Sequence, residues 1–253
     1  MYAAERQQQI LAVARAAGRV EVVALAEDLG VTAETVRRDL TVLERRGSLR
    51  RVHGGAIPVE RLSLEPDLGT RVGHLADVKR RIAARALEEL PVNGTVLLDG
   101  GSTTQALVEL LPPDIDLTIV TNSIPAAAAL AHRPGITLYV LGGRVRGITA
   151  ASVGAWATDP LTSICADVAF LGTNGFSASR GLTTPDQAEA EVKIALMAAA
   201  RRTICLADST KAGEDHLHRF GDLARLDLLI TDDSLADEVA EEIRATGPEV
   251  VLA

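Results

Sequence analysis

Seven short apolar runs limit what this chain can become: TVLLD (95–99), LTIVT (117–121), ITLYVL (136–141), DVAFLG (167–172), TICLAD (203–208), DLLIT (227–231) and EVVLA (249–253). Each has strand length and is rich in Val, Ile and Leu, without the polar alternation of a strand that wets one face. Segments of helical periodicity such as TTQALVELL lie between them. A chain that alternates buried strands with helices folds with the helices as crossovers packed on the sheet. The expectation from about residue 76 onward is therefore a mainly parallel α/β domain, 76–253.

Polar clusters follow five of the runs. In an open parallel sheet those strand ends share one edge, and ligands bind in the crevice outside it. The clusters supply Asp99, Gly101, Ser102, Thr103 and Thr104; Asn122 and Ser123; Gly143 and Arg144; Asn174 and Gly175; and Asp208 and Lys211. The run GGSTT leads directly into a helix, so backbone N–H groups, hydroxyls and the positive end of the helix dipole can surround an anion such as phosphate. The other reading of the same residues is a turn with no ligand. Lys211 would supply a compact balancing cation. Neither the Walker spacing nor the dinucleotide glycine spacing is present, so no nucleotide cofactor is expected.

The first sixty residues follow a different rhythm. ERQQQILAVARAAG reads as a helix with Ile10, Val13 and Ala17 on one side, stopped at Gly18. A second helix carries Val22, Leu25, Ala26 and Leu29 and breaks at Gly30; Thr32 is placed to cap a third. In that third helix Val36, Leu40 and Leu43 share the buried face, so Glu34, Arg38, Thr41 and Arg45 point the other way with Arg37 on the flank. Gly47 ends it. LRRVHGGA then reads as a wing strand closing in a Gly-Gly turn. The domain limits expected are 1–57 for a winged helix-turn-helix, 58–75 for a linker and 76–253 for the sheet domain.

Charge sharpens the contrast between the two parts. Overall there are 26 basic and 34 acidic residues, a net charge of −8, which excludes a protein that coats nucleic acid or membrane over its whole surface. Residues 1–60 hold nine arginines against eight carboxylates, leaving −9 for the remainder. Within 35–53, Arg37, Arg38, Arg45, Arg46, Arg50 and Arg51 face only Asp39 and Glu44. A helix-turn-helix unit lays such a helix in the DNA major groove, where Arg and Thr reach base edges and neighbouring cations hold phosphates. The expected DNA contacts are Thr32, Glu34, Thr35, Arg37, Arg38, Thr41, Arg45, Arg50, Arg51 and His53, the last equally suited to stabilising the wing turn. Asp39 would repel phosphate and is expected to orient an arginine or tie the helix to its neighbours.

The stretch TAETVRRDLTVLERRGSLRRVHGGA (32–56) resembles the DNA-binding signature of the DeoR family of bacterial repressors. The larger part is similar to that family's sensor domain over about 71–229, through Lys79, LDGGSTT, TNS, LGGR, GLTTPDQAEAEVK and ADSTK. The resemblance implies a fold like ribose-5-phosphate isomerase and glucosamine-6-phosphate deaminase. It also implies a phosphorylated sugar as effector, fructose 1-phosphate before glycerol 3-phosphate, whose binding relieves repression at double-stranded operator DNA. By position, Asp99, Gly101, Ser102, Thr103, Thr104 and Lys211 would hold the phosphate, and Asn122, Asn174, Glu189 and Lys193 would face the sugar. Glu189 and Lys193, four apart on a helix, also suit a simple mutual pair. Two-fold operators imply a homodimer or homotetramer.

Two other functions use the same parts: a sugar-phosphate isomerase or deaminase with Glu189 or Asp186 as base and Lys193 as its partner, and an activator. The fused DNA reader argues against the enzyme. His216 and His218 alternate like metal ligands but lack supporting acids or cysteines, so no metal is expected. Trp156 suits packing or a subunit contact. Cys165 and Cys205 sit in apolar stretches and are expected to be buried thiols. The polar start lacks the apolar core of a signal peptide and no apolar run approaches membrane length, which points to a cytoplasmic protein without a membrane partner.

Overall fold

The computed structural model describes residues 3–17, 19–45, 48–52, 54–58 and 65–253. The helix stops expected at Gly18 and Gly47, Arg46 and His53 lie outside these residues. The chain divides into two compact units, one ending at Glu65 and one beginning at Pro66.

In the first unit, helix α1 (Ala3–Ala17), strand β1 (Val20–Glu21), helices α2 (Val22–Asp28) and α3 (Ala33–Arg45) and strands β2 (Leu49–Val52) and β3 (Gly55–Pro58) follow in order. The strands form one antiparallel sheet with β3 in the middle. Thr32 does cap α3, its hydroxyl accepting from the Thr35 N–H at 3.2 Å. Val36, Leu40 and Leu43 are buried with Ile10, Leu25 and Leu49. The first helix is turned differently from expectation: Ala14 is fully buried while Val13 is 40% exposed. At about 100° per residue Gln7, Ile10 and Ala14 form one inward line, and the small Ala14 lets α1 approach the core. Val13 falls on the flank.

The second unit opens with helices α4 (Leu68–Gly73) and α5 (Ala76–Ala86). The expected linker to residue 75 therefore ends earlier. Its last part is held: Asp67 caps α4 by accepting from Thr70 N at 2.7 Å, and Leu68 N donates to Ile148 O at 2.8 Å. The prolines and glycines of 58–75 hide this short helix from a periodicity reading.

All seven apolar runs became strands of one sheet: β4 (Thr95–Leu98), β5 (Leu117–Thr121), β6 (Ile136–Val140), β9 (Ala166–Gly172), β12 (Ala200–Leu206), β14 (Leu228–Thr231) and β15 (Glu249–Leu252). Their spatial order is β15-β14-β12-β9-β4-β5-β6, and every neighbouring pair is parallel. Helices α5, α6 (Ser102–Leu110) and α7 (Ile124–Leu130) bury Ile82, Leu107 and Leu130 against Val96, Leu98 and Phe170. Helices α9 (Gln187–Ala198) and α10 (Asp237–Arg244) bury Val192, Leu196 and Ile243 with Leu97 and Leu171. Successive residues of one strand thus enter opposite cores, which explains the continuous apolar runs. Short antiparallel pieces sit beyond the strand ends: β7 (Arg144–Arg146) with β8 (Ala151–Val153), helix α8 (Ala155–Thr158) after them, and β10 (Gly175–Ser177), β11 (Gly181–Thr184) and β13 (His218–Gly221).

Candidate functional site

On the first unit, the exposed side of α3 carries the residues expected to meet DNA. Arg38 is exposed and makes no ion pair among the described residues. Arg37 is loosely held by Glu34 at 3.4 Å, and the Thr32 and Thr35 hydroxyls share a hydrogen bond of 2.9 Å. Arg51 in the wing is tied to α3 through its N–H, which donates to Glu44 Oε1 at 2.9 Å, and through its guanidinium, which reaches Thr41 Oγ1 at 3.4 Å. The side chains of Arg45 and Arg50 lie outside the described part. Asp39 is buried and accepts from Arg6 Nε at 2.5 Å and Gln7 Nε2 at 2.9 Å. It fixes α3 to α1 and keeps its charge away from the outer face.

On the second unit, chain order places β4, β5 and β6 on one side of the sheet and β9, β12, β14 and β15 on the other. The direction of winding reverses between β4 and β9, and the crevice outside their C-terminal ends is where such folds bind ligands. Asp99 stands there, after β4. It accepts from Gly172 N, at the end of β9, at 3.1 Å and is bonded to the Lys193 ammonium. Lys193 also donates to Gly172 O at 2.9 Å and lies 5.3 Å from the Phe220 ring centre. Both side chains are almost fully buried. Cys205 lies below this pair, and burial pushes its thiol pKa up to about 12, with Lys193 opposing and Asp99 reinforcing the shift.

Around this pair the loops are stitched together. Asn122 Oδ1 accepts from Gly100 N at 3.0 Å, and Asn122 Nδ2 donates to Ser152 O at 3.3 Å. Thr104 Oγ1 donates to Asp99 O and Gly101 O, so its hydroxyl is spent on the loop, whereas Ser102 opens α6 with Thr103 beside it. Ser123 caps α7. Asn174 accepts from Thr184 Oγ1 at 3.0 Å. The loop carrying Asp208 and Lys211 is held from below by Asp232, which accepts from Ser209 N at 2.6 Å and Ser209 Oγ at 2.8 Å.

Glu189 and Lys193 do not pair with each other. Lys193 goes to Asp99, and Glu189 accepts from Thr149 Oγ1 and from Arg146 Nη1 at 3.2 Å; Arg146 also meets Asp186 at 3.1 Å. Arg146, Thr149 and Ser152 carried no sequence signal, because the β7–β8 hairpin that delivers them is too short to show alternation. Gly143 and Arg144 border a hollow with Gly154 and Trp156, on the hairpin that also carries Arg146 and Ser152, and Trp156 is 78% exposed. Gly143 and Gly175 have backbone reasons for being glycine. Gly143 has φ +119, and a Cβ on Gly175 would fall 1.8 Å from Glu214 O.

Cys165 is exposed, contrary to expectation, because it precedes β9 rather than lying within it. The His216 ring interacts with Asn174 O at 3.2 Å, and the described residues contain no group of three or more His, Cys, Asp or Glu that could hold a metal. Nor is any described helix long and apolar enough to cross a membrane.

Two family models match the chain: a DeoR-like helix-turn-helix domain over residues 6–61 and the DeoR C terminal sensor domain over 75–233. Among curated relatives, the HTH-type transcriptional regulator GlpR of Haloferax volcanii is 36% identical over 251 residues, 99% of this chain and 98% of its own. A putative aga operon transcriptional repressor of Escherichia coli O157:H7 is 32% identical, covering 98% of this chain and 93% of its own. A Bacillus subtilis regulator called FruR is 34% identical, with 92% of each chain covered. A solved ribose 5-phosphate isomerase A from Neisseria gonorrhoeae matches 54% of this chain and 53% of its own at 20% identity, with a TM-score of 0.39.

Proposed function

Because the chain belongs to the DeoR family of DNA-binding transcriptional regulators, we propose that it represses sugar-metabolism genes and is released from double-stranded operator DNA by a phosphorylated sugar, fructose 1-phosphate first. The observation that carries this reading is one chain joining two devices: an outward cationic face on α3, with Arg38 unpaired among the described residues, and a crevice at the point where the sheet reverses its winding. The repressing sense is supported by the name of the Escherichia coli relative.

In this reading Thr32, Glu34, Thr35, Arg37, Arg38, Thr41, Arg45, Arg50, Arg51 and His53 form the DNA surface. The phosphate lies at the start of α6, against Gly101, Ser102, Thr103 and Thr104, with Lys211 as cation. The sugar faces Asn122, Asn174 and the Glu189 side of the crevice. Asp99 and Lys193 hold the crevice floor through each other rather than each meeting ligand alone. The protein acts in the cytoplasm as a homodimer or homotetramer, since two-fold operators are read by two-fold proteins.

Binding and release are coupled by a free energy typically of about 1 to 3 kcal/mol. Thermal-shift screening of the full chain against phosphorylated sugars tests the effector, because a binder raises the melting temperature by mass action. The same compound should dissociate operator DNA, and Lys211→Ala should lose that response while keeping operator affinity. A panel in which no phosphorylated sugar raises the melting temperature defeats the effector assignment. Increased transcription on operator binding would instead make the protein an activator.

A further inference from the structure

The seven-stranded sheet has two edges, and the chain treats them differently. At one edge β15 pairs inward with β14: Glu249 N donates to Asp227 O at 3.1 Å and Ala253 N to Thr231 O at 2.8 Å. Bonding groups alternate sides along a strand, so the Val250 carbonyl faces outward. Arg244 covers it, Nη2 donating to Val250 O at 3.2 Å, and Glu249 sets a charge at the start of the strand. Both devices keep other strands off an edge. At the opposite edge β6 pairs with β5 alone. Leu117 N donates to Gly135 O and Leu141 N to Thr121 O, each at 2.9 Å. The same alternation turns the carbonyls of Ile136, Leu138 and Val140 outward, with the N–H groups of Leu138 and Val140. This strand, ITLYV, holds no charge, no proline and no bulge in its register with β5. Tyr139 and Val140 on it are 58% and 49% exposed.

A bare, uncharged edge accepts a further strand, and these outward groups fit a copy of the same strand. Set antiparallel about a two-fold axis at Leu138, the N–H and C=O of Leu138 exchange bonds with the partner's Leu138, and the Val140 N–H meets the carbonyl of the partner's Ile136. Thr137 then lies opposite the partner's Tyr139. Antiparallel pairing also sets opposite ends of the strand side by side. Exposed Asp114 and Asp116 mark the N-terminal end, where Asp116 lies against Gly135; Arg133 at that end is spent on the carbonyls of Leu111 and Pro112. Exposed Arg144 marks the C-terminal end. Asp114, Asp116 and Arg144 form no ion pair among the described residues, so two copies bring an acidic end to a basic end twice. We infer that β6 is the interface between two copies of this chain, joining their sheets across a two-fold axis at Leu138. Because β15 is blocked, pairing closes at two copies instead of running on as a filament. The inference rests on the homo-oligomer of the reading above and adds to it the surface and the register.

The test measures the mass of the full-length protein by light scattering and sedimentation, with the melting temperature as the check on folding. The unaltered protein should be a dimer or a pair of dimers. Val140→Pro removes only an outward N–H, a place where an edge strand accepts proline, so it should fold. Its self-association should weaken by about 10- to 100-fold, since two hydrogen bonds per dimer are lost, and its mass should halve. Val140→Thr keeps the N–H and should associate like the unaltered protein. A third variant combines Thr137→Cys and Tyr139→Cys with Cys165→Ser. Facing residues of an antiparallel pair have Cα atoms about 4.5 to 5.5 Å apart, within disulfide reach, so mild oxidation should give a covalent dimer. A monomeric unaltered protein, or Val140→Pro that associates as tightly as Val140→Thr, overturns the inference; in the first case the homo-oligomer reading falls with it, and in the second it stands. If Val140→Pro halves the mass while operator affinity does not move, the two-fold reading of DNA fails and the β6 interface stands. Should Val140→Pro not fold, the cysteine variant decides, and absence of a covalent dimer overturns the inference.

Discussion

Lys193 on α9 is bonded to Asp99 at the end of β4, a contact between residues 94 positions apart that ties the helix to the strand edge where the sheet reverses its winding. Removing one member of a buried pair strands the other charge, at a cost of about 3 to 5 kcal/mol. Lys193→Met should therefore lower the urea midpoint of the second unit strongly. The double change Asp99→Asn with Lys193→Met should recover much of that loss, because no buried charge remains. A double variant as unstable as the single one contradicts this role.

On the DNA unit, Arg38 is outward and without a protein partner among the described residues, whereas Arg51 is already tied to Glu44 and Thr41. Arg38→Ala should weaken operator binding and, if it holds a phosphate, reduce the slope of log affinity against log salt by about one. Asp39→Ala should weaken binding by another route, through loss of the Arg6 and Gln7 bonds that fix α3 to α1. It should lower stability by about 1 to 3 kcal/mol, which Arg38→Ala should not. Fluorescence anisotropy and thermal melts separate the two.

Acid should loosen the Lys211 loop. Burial pushes the Asp232 pKa up, but hydrogen bonds from Ser209 and Ser234 outweigh it and hold the carboxyl below its ordinary value. A depressed carboxylate contributes stability that is present above the unfolded value of about 3.9 and is lost as pH falls through the lower folded value. Amide protection at Ser209–Lys211 should hold from neutral pH down to about 3.9 and decline below it. Asp232→Asn should cost on the order of 1.5 kcal/mol at neutral pH.

The two thiols should report their different surroundings. Cys165 is exposed and should react with a thiol reagent in the native protein; Cys205, fully buried with its pKa near 12, should react only on unfolding. Two thiols titrating natively contradict the placement of β12.

The five inner strands were legible because burial on both faces forces an unbroken apolar run, and the half-exposed edge strands β6 and β15 stood out by their Val, Ile and Leu content alone. Val36, Leu40 and Leu43 showed the face of α3 for a similar reason. Pieces held by few residues were hidden. RVR and GFS are three-residue strands with no period to detect, and α4 lies among prolines and glycines. Side-chain pairing was hidden too: Glu189 finds Arg146 across 43 residues, while sequence spacing offered Lys193 four residues away. Val13 was misplaced because Ile10 permits either neighbour on a helix wheel, and the small Ala14 gave little apolar signal.

Anisotropy of labelled DNA from upstream of the protein's own gene, followed as salt and then fructose 1-phosphate are varied, tests most directly whether reader and sensor are coupled. Binding should weaken steeply with salt and fall about 5- to 150-fold on saturation with the sugar phosphate, while fructose leaves it unchanged. Absence of binding at low ionic strength, or affinity that is the same with and without every phosphorylated sugar tried, contradicts it.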